Sequence, residues 1–297
     1  RMTENTANQA TYALFDSEIF SVNAQIEIEM EYAFYNGSGA DGITFFLVDG
    51  NVDSGSFSPG AYGGSMGYAQ KTLAGGGEAD IAGMAGGYLG IALDNWGNYS
   101  SATEGRDGGT AFTPNAIAVR GPESSNYEFV EGSGDLSGLA GGGQMDFPTA
   151  TTRPDQSGAD YRSFKMTLDA NNQLTVEMKF GASSEYITAF EADLSSYDRP
   201  DTFKIGFTGA TGGANEIHEV RSVSVAMSPW QPDAFEWDDG AGNSNWTSDN
   251  NWVANAEPSP SADILFGDAP TTGATQNVTM NGDKTVRSIT FDSDLNY

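Results

Sequence analysis

The chain has 297 residues, 38% of them hydrophobic, with 17 Phe, 12 Tyr and 5 Trp, enough apolar material for a sizeable core and too much for a disordered chain. Its net charge of −28 argues against nucleic acid and anionic membrane surfaces as partners, since both repel a protein of this sign. With no cysteine there are neither disulfides nor thiolate metal sites, and no apolar stretch approaches the roughly 18 residues of a membrane-inserted helix.

The 38 glycines favour tight turns and short strands, and the apolar residues alternate accordingly. Ile26, Ile28, Met30, Tyr32 and Phe34 alternate with Glu27, Glu29, Glu31 and Ala33, the pattern of a half-buried strand. Phe164, Met166 and Leu168 form one arm of a hairpin and Leu174, Val176, Met178 and Phe180 the other, with Asp169-Ala170-Asn171-Asn172 as the turn. Phe203, Ile205 and Phe207 alternate before a glycine-rich loop, and Val223, Val225 and Met227 after it. No amphipathic helix longer than two turns stands out, so the pattern is an all-β sandwich with functional loops.

The composition changes near Pro229, and residues 229–236 read as a linker. Beyond it, in 237–297, Trp237, Trp246 and Trp252 stand among Asn, Asp, Gly and Ser, with short strands expected over Asp263–Phe266, Asn277–Met280 and Thr285–Phe291. This segment is too short for a comfortable core of its own and reads as the opening of a larger repetitive β domain. At the other end, Arg1-Met2 carries no signal pattern, which places any signal peptide upstream.

Chemistry concentrates in Gly86 to Asn98, GGYLGIALDNWGN. Asp94, Trp96 and Asn98 fall at alternate positions, so on an extended backbone a carboxylate, a backbone carbonyl and a carboxamide converge on one point. Oxygen ligands of mixed type suit calcium and hold zinc poorly. The indole offers a flat face beside the ion, and Asp41 in Ala40-Asp41-Gly42 adds an acid. A hard cation, an aromatic platform and an acid together point to a sugar site.

With these residues in hand, the chain resembles the legume-type (L-type) lectin family in its bacterial branch. The matching segments are ADGITFFLVDG (Ala40 to Gly50), GAYGGSMGYA (Gly60 to Ala69), GGYLGIALDNWGNYS (Gly86 to Ser100), PNAIAVRGP (Pro114 to Pro122) and FKIGFTGATGGANEIHEVRSVSV (Phe203 to Val225). They occur in family order and cover about residues 1–228. The resemblance implies a concanavalin-like jelly-roll sandwich of two antiparallel sheets, with Ca2+ and sugar bound at loops beside the concave sheet. It implies that Asp41, joined to Ala40 through a cis peptide, accepts hydrogen bonds from sugar hydroxyls, and that the Gly64 N–H also reaches the sugar. It assigns Asp94 and Asn98 as side-chain calcium ligands, the Trp96 carbonyl as another, and Asn98 and the Trp96 ring as sugar contacts. Gly213, Ala214 and Asn215 match the loop that sets monosaccharide preference.

The chain also departs from that pattern. A second, transition-metal site uses a Glu and a His at positions held here by Ala92 and Asn115, so that site is expected to be missing. The loop bearing the last calcium acid is longer here, which makes Asp107 the first choice and Glu104 the second. The strand that precedes the residues matched by Arg1-Met2-Thr3 is expected upstream of the chain. His218, the one histidine, has no nucleophile pattern near it and reads as structural.

The expectation is therefore a calcium-dependent, non-enzymatic carbohydrate-binding module of a secreted or cell-surface bacterial protein, serving adhesion through glycans. The sequence names neither the sugar nor the oligomeric state. One rival is a retaining glycoside hydrolase on the same sandwich, using alternate acids among Glu27, Glu29 and Glu31, whose spacing on a strand approaches the roughly 5–5.5 Å that retaining chemistry needs. The other is a purely structural adhesin segment that binds no sugar.

Overall fold

The computed structural model describes residues 1–20, 24–229, 235–253, 255, 257–258, 263–266, 278–284, 286 and 288–291. The chain forms two compact units, residues 1–228 and 229–297.

In the first unit the strands are β1 (Ala10–Phe20), β2 (Ala24–Tyr35), β3 (Gly42–Asp49), β4 (Gly87–Asp94), β5 (Ala116–Arg120) and β6 (Phe129–Asp135). They continue with β7 (Arg162–Leu168), β8 (Gln173–Phe180), β9 (Ile187–Asp193), β10 (Thr202–Ala210) and β11 (Ile217–Pro229). A six-stranded sheet runs in the order β1-β10-β3-β4-β5-β6, and a five-stranded sheet in the order β11-β2-β7-β8-β9. The paired strands within them are antiparallel. Among the described residues the helical segments are three-residue 3₁₀ turns, and none is long and apolar enough to cross a membrane. The expected all-β jelly-roll sandwich is the fold observed.

The alternation read from the sequence dictates the layer between the sheets. Ile26, Ile28, Met30, Tyr32 and Phe34 of β2 and Phe164, Met166 and Leu168 of β7 meet Ile43, Phe45 and Leu47 of β3 and Leu89, Ile91 and Leu93 of β4 in one buried cluster. Glu27, Glu29 and Glu31 take the other face of β2, opposite Thr167, Lys165 and Ser163 of β7. The β7–β8 hairpin closes where expected. Asp169 Oδ1 accepts the N–H groups of Asn171 and Gln173 at 2.8 Å, and Asn172 adopts φ +60°.

The six-stranded sheet differs in being apolar on both faces. Phe46, Val48, Ala92 and Ala118 form a second cluster on its far side with Phe57, Met66, Tyr68, Met84, Tyr99 and Tyr127, which lie outside the strands. Every residue of β4 is therefore buried, and the loops that follow β3 and β4 fold back over the sheet rather than into solvent.

The second unit has its own core, contrary to the expectation that it is too short for one. Trp237, Trp246 and Trp252 are buried with Ile264 and Phe266. The Trp252 ring meets Trp237 at 5.1 Å and Trp246 at 4.8 Å between centroids, both edge-on, and its Nε1–H donates to the Trp246 carbonyl at 2.9 Å. Three indoles bury so much apolar area that a short segment suffices. β12 (Phe235–Glu236), β13 (Asp263–Phe266) and β14 (Ser288–Phe291) pair in parallel. In place of the strand expected over Asn277–Met280, Thr279 makes a single bridge to Asn245. Of the expected linker, Trp230 to Ala234 lie outside the described residues, as do Asn277, Thr285 and Arg287 of the expected strands and the tail from Asp292 onward. Trp252→Ala should cost this unit roughly 3–5 kcal/mol, the range for emptying a large aromatic site. Limited proteolysis should then cut within residues 235–291 under conditions where the wild-type chain resists, and equal resistance would contradict this core.

Candidate functional site

The cleft lies where β3 begins and β4 ends, side by side in the six-stranded sheet. Gly42 pairs with Asp94, so Asp41 and the residues after Asp94 leave the sheet at one point. Gly42 has φ +147°, and a Cβ there would lie 1.9 Å from the Leu93 carbonyl oxygen, so only glycine fits. The Ala40–Asp41 peptide is cis. The Asp41 carbonyl accepts the Asn95 N–H at 2.9 Å and the Trp96 N–H at 3.4 Å, which ties the two loops together.

Asp94, Trp96 and Asn98 do not converge through strand alternation, as the sequence reading had it, because β4 stops at Asp94. A turn brings them together instead. Asp94 Oδ1 accepts the Gly97 N–H and Oδ2 the Tyr99 N–H, each at 2.7 Å, folding the chain back around the carboxylate. Gly97 adopts φ +107°, with no room for a Cβ against Thr113 and Pro114.

A cavity of about 190 Å³ opens at this point. Asp41 and Asn98 line it together with Gly63 and Gly64 from the loop after β3, and Gly212, Gly213 and Ala214 from the loop after β10. Asn215 does not line the cleft; its carbonyl accepts the Ser38 N–H at 2.7 Å behind that loop. Gly64 packs on Asn98, and a Cβ there would lie 2.4 Å from the carboxamide. Trp96, 39% exposed, stands at the rim in edge contact with Phe112 at 6.1 Å. Asp41 Oδ2 and Asn98 Oδ1 are buried without a hydrogen-bond partner. Two orphaned acceptor oxygens lining one cleft are groups that wait for donors.

The sequence reading missed the cations of this cleft. Lys71 lies over the Tyr62 ring at 4.2 Å and pairs with Glu104 Oε1 at 3.2 Å, and both Lys71 and Tyr62 line the cavity. Arg106 is buried beside them. Its Nε donates to the Ser101 carbonyl, Nη1 to Ser65 Oγ and Glu104 Oε2, and Nη2 to the Asn98 carbonyl and Thr103 Oγ1, at 2.7–3.2 Å. Only the scarcity of base, 13 Lys and Arg against 41 Asp and Glu, could have marked these residues in the sequence.

Calcium takes six to eight oxygens, carboxylates among them. Of the four expected ligands, Asp94, the Trp96 carbonyl and Asn98 lie around one turn, and the unpartnered Asn98 Oδ1 suits a cation. Asp107 does not join them. Its side chain is exposed outside the cleft, while its carbonyl accepts the Phe129 N–H at 3.0 Å and Arg120 Nη1 at 2.7 Å. Glu104 does line the cleft, but each of its oxygens is held by a cation, Lys71 or Arg106. Among the described residues no three Asp, Glu, His or Cys side chains gather as a metal cluster. The residues present do not complete a calcium shell.

Behind the loop after β10 lies a second polar cluster. Glu216 Oε2 accepts from Asn95 Nδ2 at 3.1 Å, and Asn95 Nδ2 also donates to Asp146 Oδ2 at 2.8 Å. Thr3 Oγ1 donates to the Glu216 carbonyl, so its contact with His218 Nδ1 at 2.7 Å is donated by the ring. His218 is buried and packs edge-on against Phe34, a structural place. Its burial pushes its pKa down to about 3. Burial, reinforced by Asp146, pushes Glu216 up to about 8. Asp41 rises to about 7 through burial first and then Asp94 and Glu104, against the pull of Lys71 and Arg106. Burial likewise lifts Asp94 to about 7 against its two backbone donors.

The comparisons agree with this architecture. The Lotus tetragonolobus seed lectin superposes over 75% of this chain and 83% of its own, with a TM-score of 0.51 at 13% identity. The chain has the fold of the L-type lectins. Also matched are lectin UEA-II complexed with galactose, at a TM-score of 0.48, 15% identity and coverage of 77% and 85%, and the Ca2+/Man-bound VIP36 exoplasmic/lumenal domain, at 0.47, 13% and 76% of each chain. No protein-family model and no curated protein sequence matches the chain.

The raised carboxyls of this L-type lectin fold set a pH dependence. A carboxyl whose folded pKa lies above its unfolded value binds protons more tightly when folded, so lowering the pH stabilises the native state. For Asp41 and Glu216 that window runs from about 8 down toward their ordinary values of 3.8 and 4.5. His218 acts oppositely, since the unfolded chain takes its proton below 6.5. Asp94 adds to the carboxyl side, so the carboxyls prevail. The ligand-free protein should have a higher Tm at pH 5.5 than at pH 8, and a double Asp41→Asn, Glu216→Gln variant should lose much of that gain. An unchanged pH profile in the variant would count against these assignments.

Proposed function

We propose that the chain is a carbohydrate-binding module that takes a sugar ring in this cleft and makes or breaks no bond. One observation carries the reading: Asp41 Oδ2, buried and without a partner, lines the same cavity as the exposed Trp96 ring. A pyranose offers hydroxyl donors to such an oxygen and a C–H face to an indole. Asn98 Oδ1 is a second acceptor, the Gly64 backbone lies against it, and Lys71 is a donor on the Tyr62 side. Gly213 and Ala214 close the cavity and shape its entrance. Asn215 acts on that loop from behind. No step here requires a metal.

The hydrolase reading finds less support. Glu29 Oε1 accepts the Tyr186 hydroxyl at 2.6 Å, and Glu31 lies 4.0 Å from Arg221 Nε, both on the outer face of the five-stranded sheet. Neither they nor Glu27 line the cleft. A sugar exchanges hydrogen bonds with water for hydrogen bonds with protein, so single-site affinity is modest. Display of several copies on a secreted or surface-attached protein would turn it into adhesion.

A glycan array followed by calorimetry on the best ligand tests the reading. Asp41→Asn should abolish binding with the fold retained, and Trp96→Ala should weaken it by roughly 1–3 kcal/mol, the scale of stacking on an aromatic face. Acidification below about 7 should weaken binding as Asp41 gains its proton, opposite in sign to its effect on stability. Undiminished affinity in Asp41→Asn would refute the site, and absence of any glycan ligand would favour the purely structural role. Glu27→Gln with Glu31→Gln should leave binding intact, whereas a hydrolase would lose its activity.

A further inference from the structure

The calcium expected from the sequence and the residues found in the cleft disagree, and the disagreement has a direction. A cation is present already. The Arg106 guanidinium is buried, and each nitrogen is used in holding three stretches together: Ser65 after β3, Asn98 and Ser101 after β4, and the 3₁₀ turn Thr103–Gly105. The carboxylate nearest the cavity that could have closed a metal shell, Glu104, is instead shared between Arg106 at 2.9 Å and Lys71 at 3.2 Å. The only other acid expected to close that shell, Asp107, is exposed and pinned by its carbonyl to Arg120. A planar fork of five N–H donors fits a ring of carbonyl, hydroxyl and carboxylate oxygens as a divalent ion does, without displacing water from a hydrated ion.

We propose that Arg106 is the resident cation of this cleft, positioning Asn98 and the Gly63–Gly64 loop, and that the cleft is assembled without a divalent metal. The proposal is independent of the sugar reading, because its test contains no glycan. The full chain is melted after exhaustive chelation and again in calcium chloride, and its metal content is measured after dialysis from calcium. The wild-type Tm should be the same in both, with no stoichiometric calcium retained. Arg106→Gln removes the positive charge and leaves Asp41, Asp94 and Glu104 with less compensation. Its Tm should fall by several degrees in chelator, and calcium should restore part of the loss, a response that a merely space-filling arginine would not create. Arg106→Lys keeps the charge but not the fork, and should be less stable than wild type yet indifferent to calcium. A wild-type Tm that rises with calcium, or one calcium retained per chain, overturns the proposal, as does an Arg106→Gln protein blind to calcium. Should Arg106→Gln not fold, the wild-type measurements still decide.

Discussion

One carboxylate organises the functional end of this molecule. Asp94 ends β4 and accepts two backbone N–H groups, from Gly97 and Tyr99, so that a strand buried on both faces turns sharply at the rim of the sheet. Without such an acceptor those two amides would be buried and unpaired, each at a cost of about 1–3 kcal/mol. The turn lifts the Trp96 ring into solvent, sends the Asn98 carboxamide under Gly64, and presents the Asn95 and Trp96 amides to the Asp41 carbonyl. What the cleft offers a ligand follows from where this turn puts its residues.

The loop that follows carries only one 3₁₀ turn and a single bridge of its own, and two arginines do most of the holding. Arg106 and Arg120 both donate to the Ser101 carbonyl, from Nε at 3.2 Å and Nη2 at 3.0 Å. Arg120 goes on to the carbonyls of Tyr99, Asp107, Gly108 and Tyr127. A guanidinium has five donors and no acceptor, so one side chain can satisfy several carbonyls that a loop outside the strands leaves open. The far-side cluster of Phe46, Val48, Tyr68, Tyr99 and Tyr127 supplies the other half of the restraint, because the loops must cover that apolar face. Polar satisfaction and burial thus fix the same segment from opposite sides.

The fold was legible because its signal is local. Alternation in β2, β7, β8 and β10 shows in any window of a few residues, and so do Asp169 and Asn172 at the hairpin. Alternation does not single out β1, β6 and β9. β6 carries glycines at positions 132 and 134 and few apolar residues, leaving little pattern to find. The Trp237–Trp246–Trp252 core escaped for a different reason. Indoles 15 residues apart in sequence assemble a small core that no periodicity announces. At the site, Asp41, Trp96 and Asn98 fall together around one cavity, but loop length alone favours Asp107 over Glu104. Which acid faces inward depends on the arginine between them, and Arg106 finds Ser65 across 41 residues of chain. Contacts of that span are set by the closed sandwich and cannot be read from spacing.

Charge supports the proposal that this cleft assembles without a divalent counter-ion. Three carboxylates, Asp41, Asp94 and Glu104, lie close enough to perturb one another, and Lys71 and Arg106 offset two of the three charges. Glu104, with a cation on each oxygen, is driven below the ordinary carboxylate range despite its partial burial, whereas Asp41, with neither, rises to about 7. Of the three, Glu104 holds its negative charge most firmly, and Asp41 is the one with an oxygen that has no partner in the protein. In a chain of net charge −28, surface acids are plentiful and solvated. Asp41 is buried, and the two cations beside it pair with Glu104 and leave its Oδ2 unsatisfied. In the function proposed for this cleft, a neutral, hydroxyl-rich ligand would satisfy that oxygen without bringing a charge of its own into an acidic site.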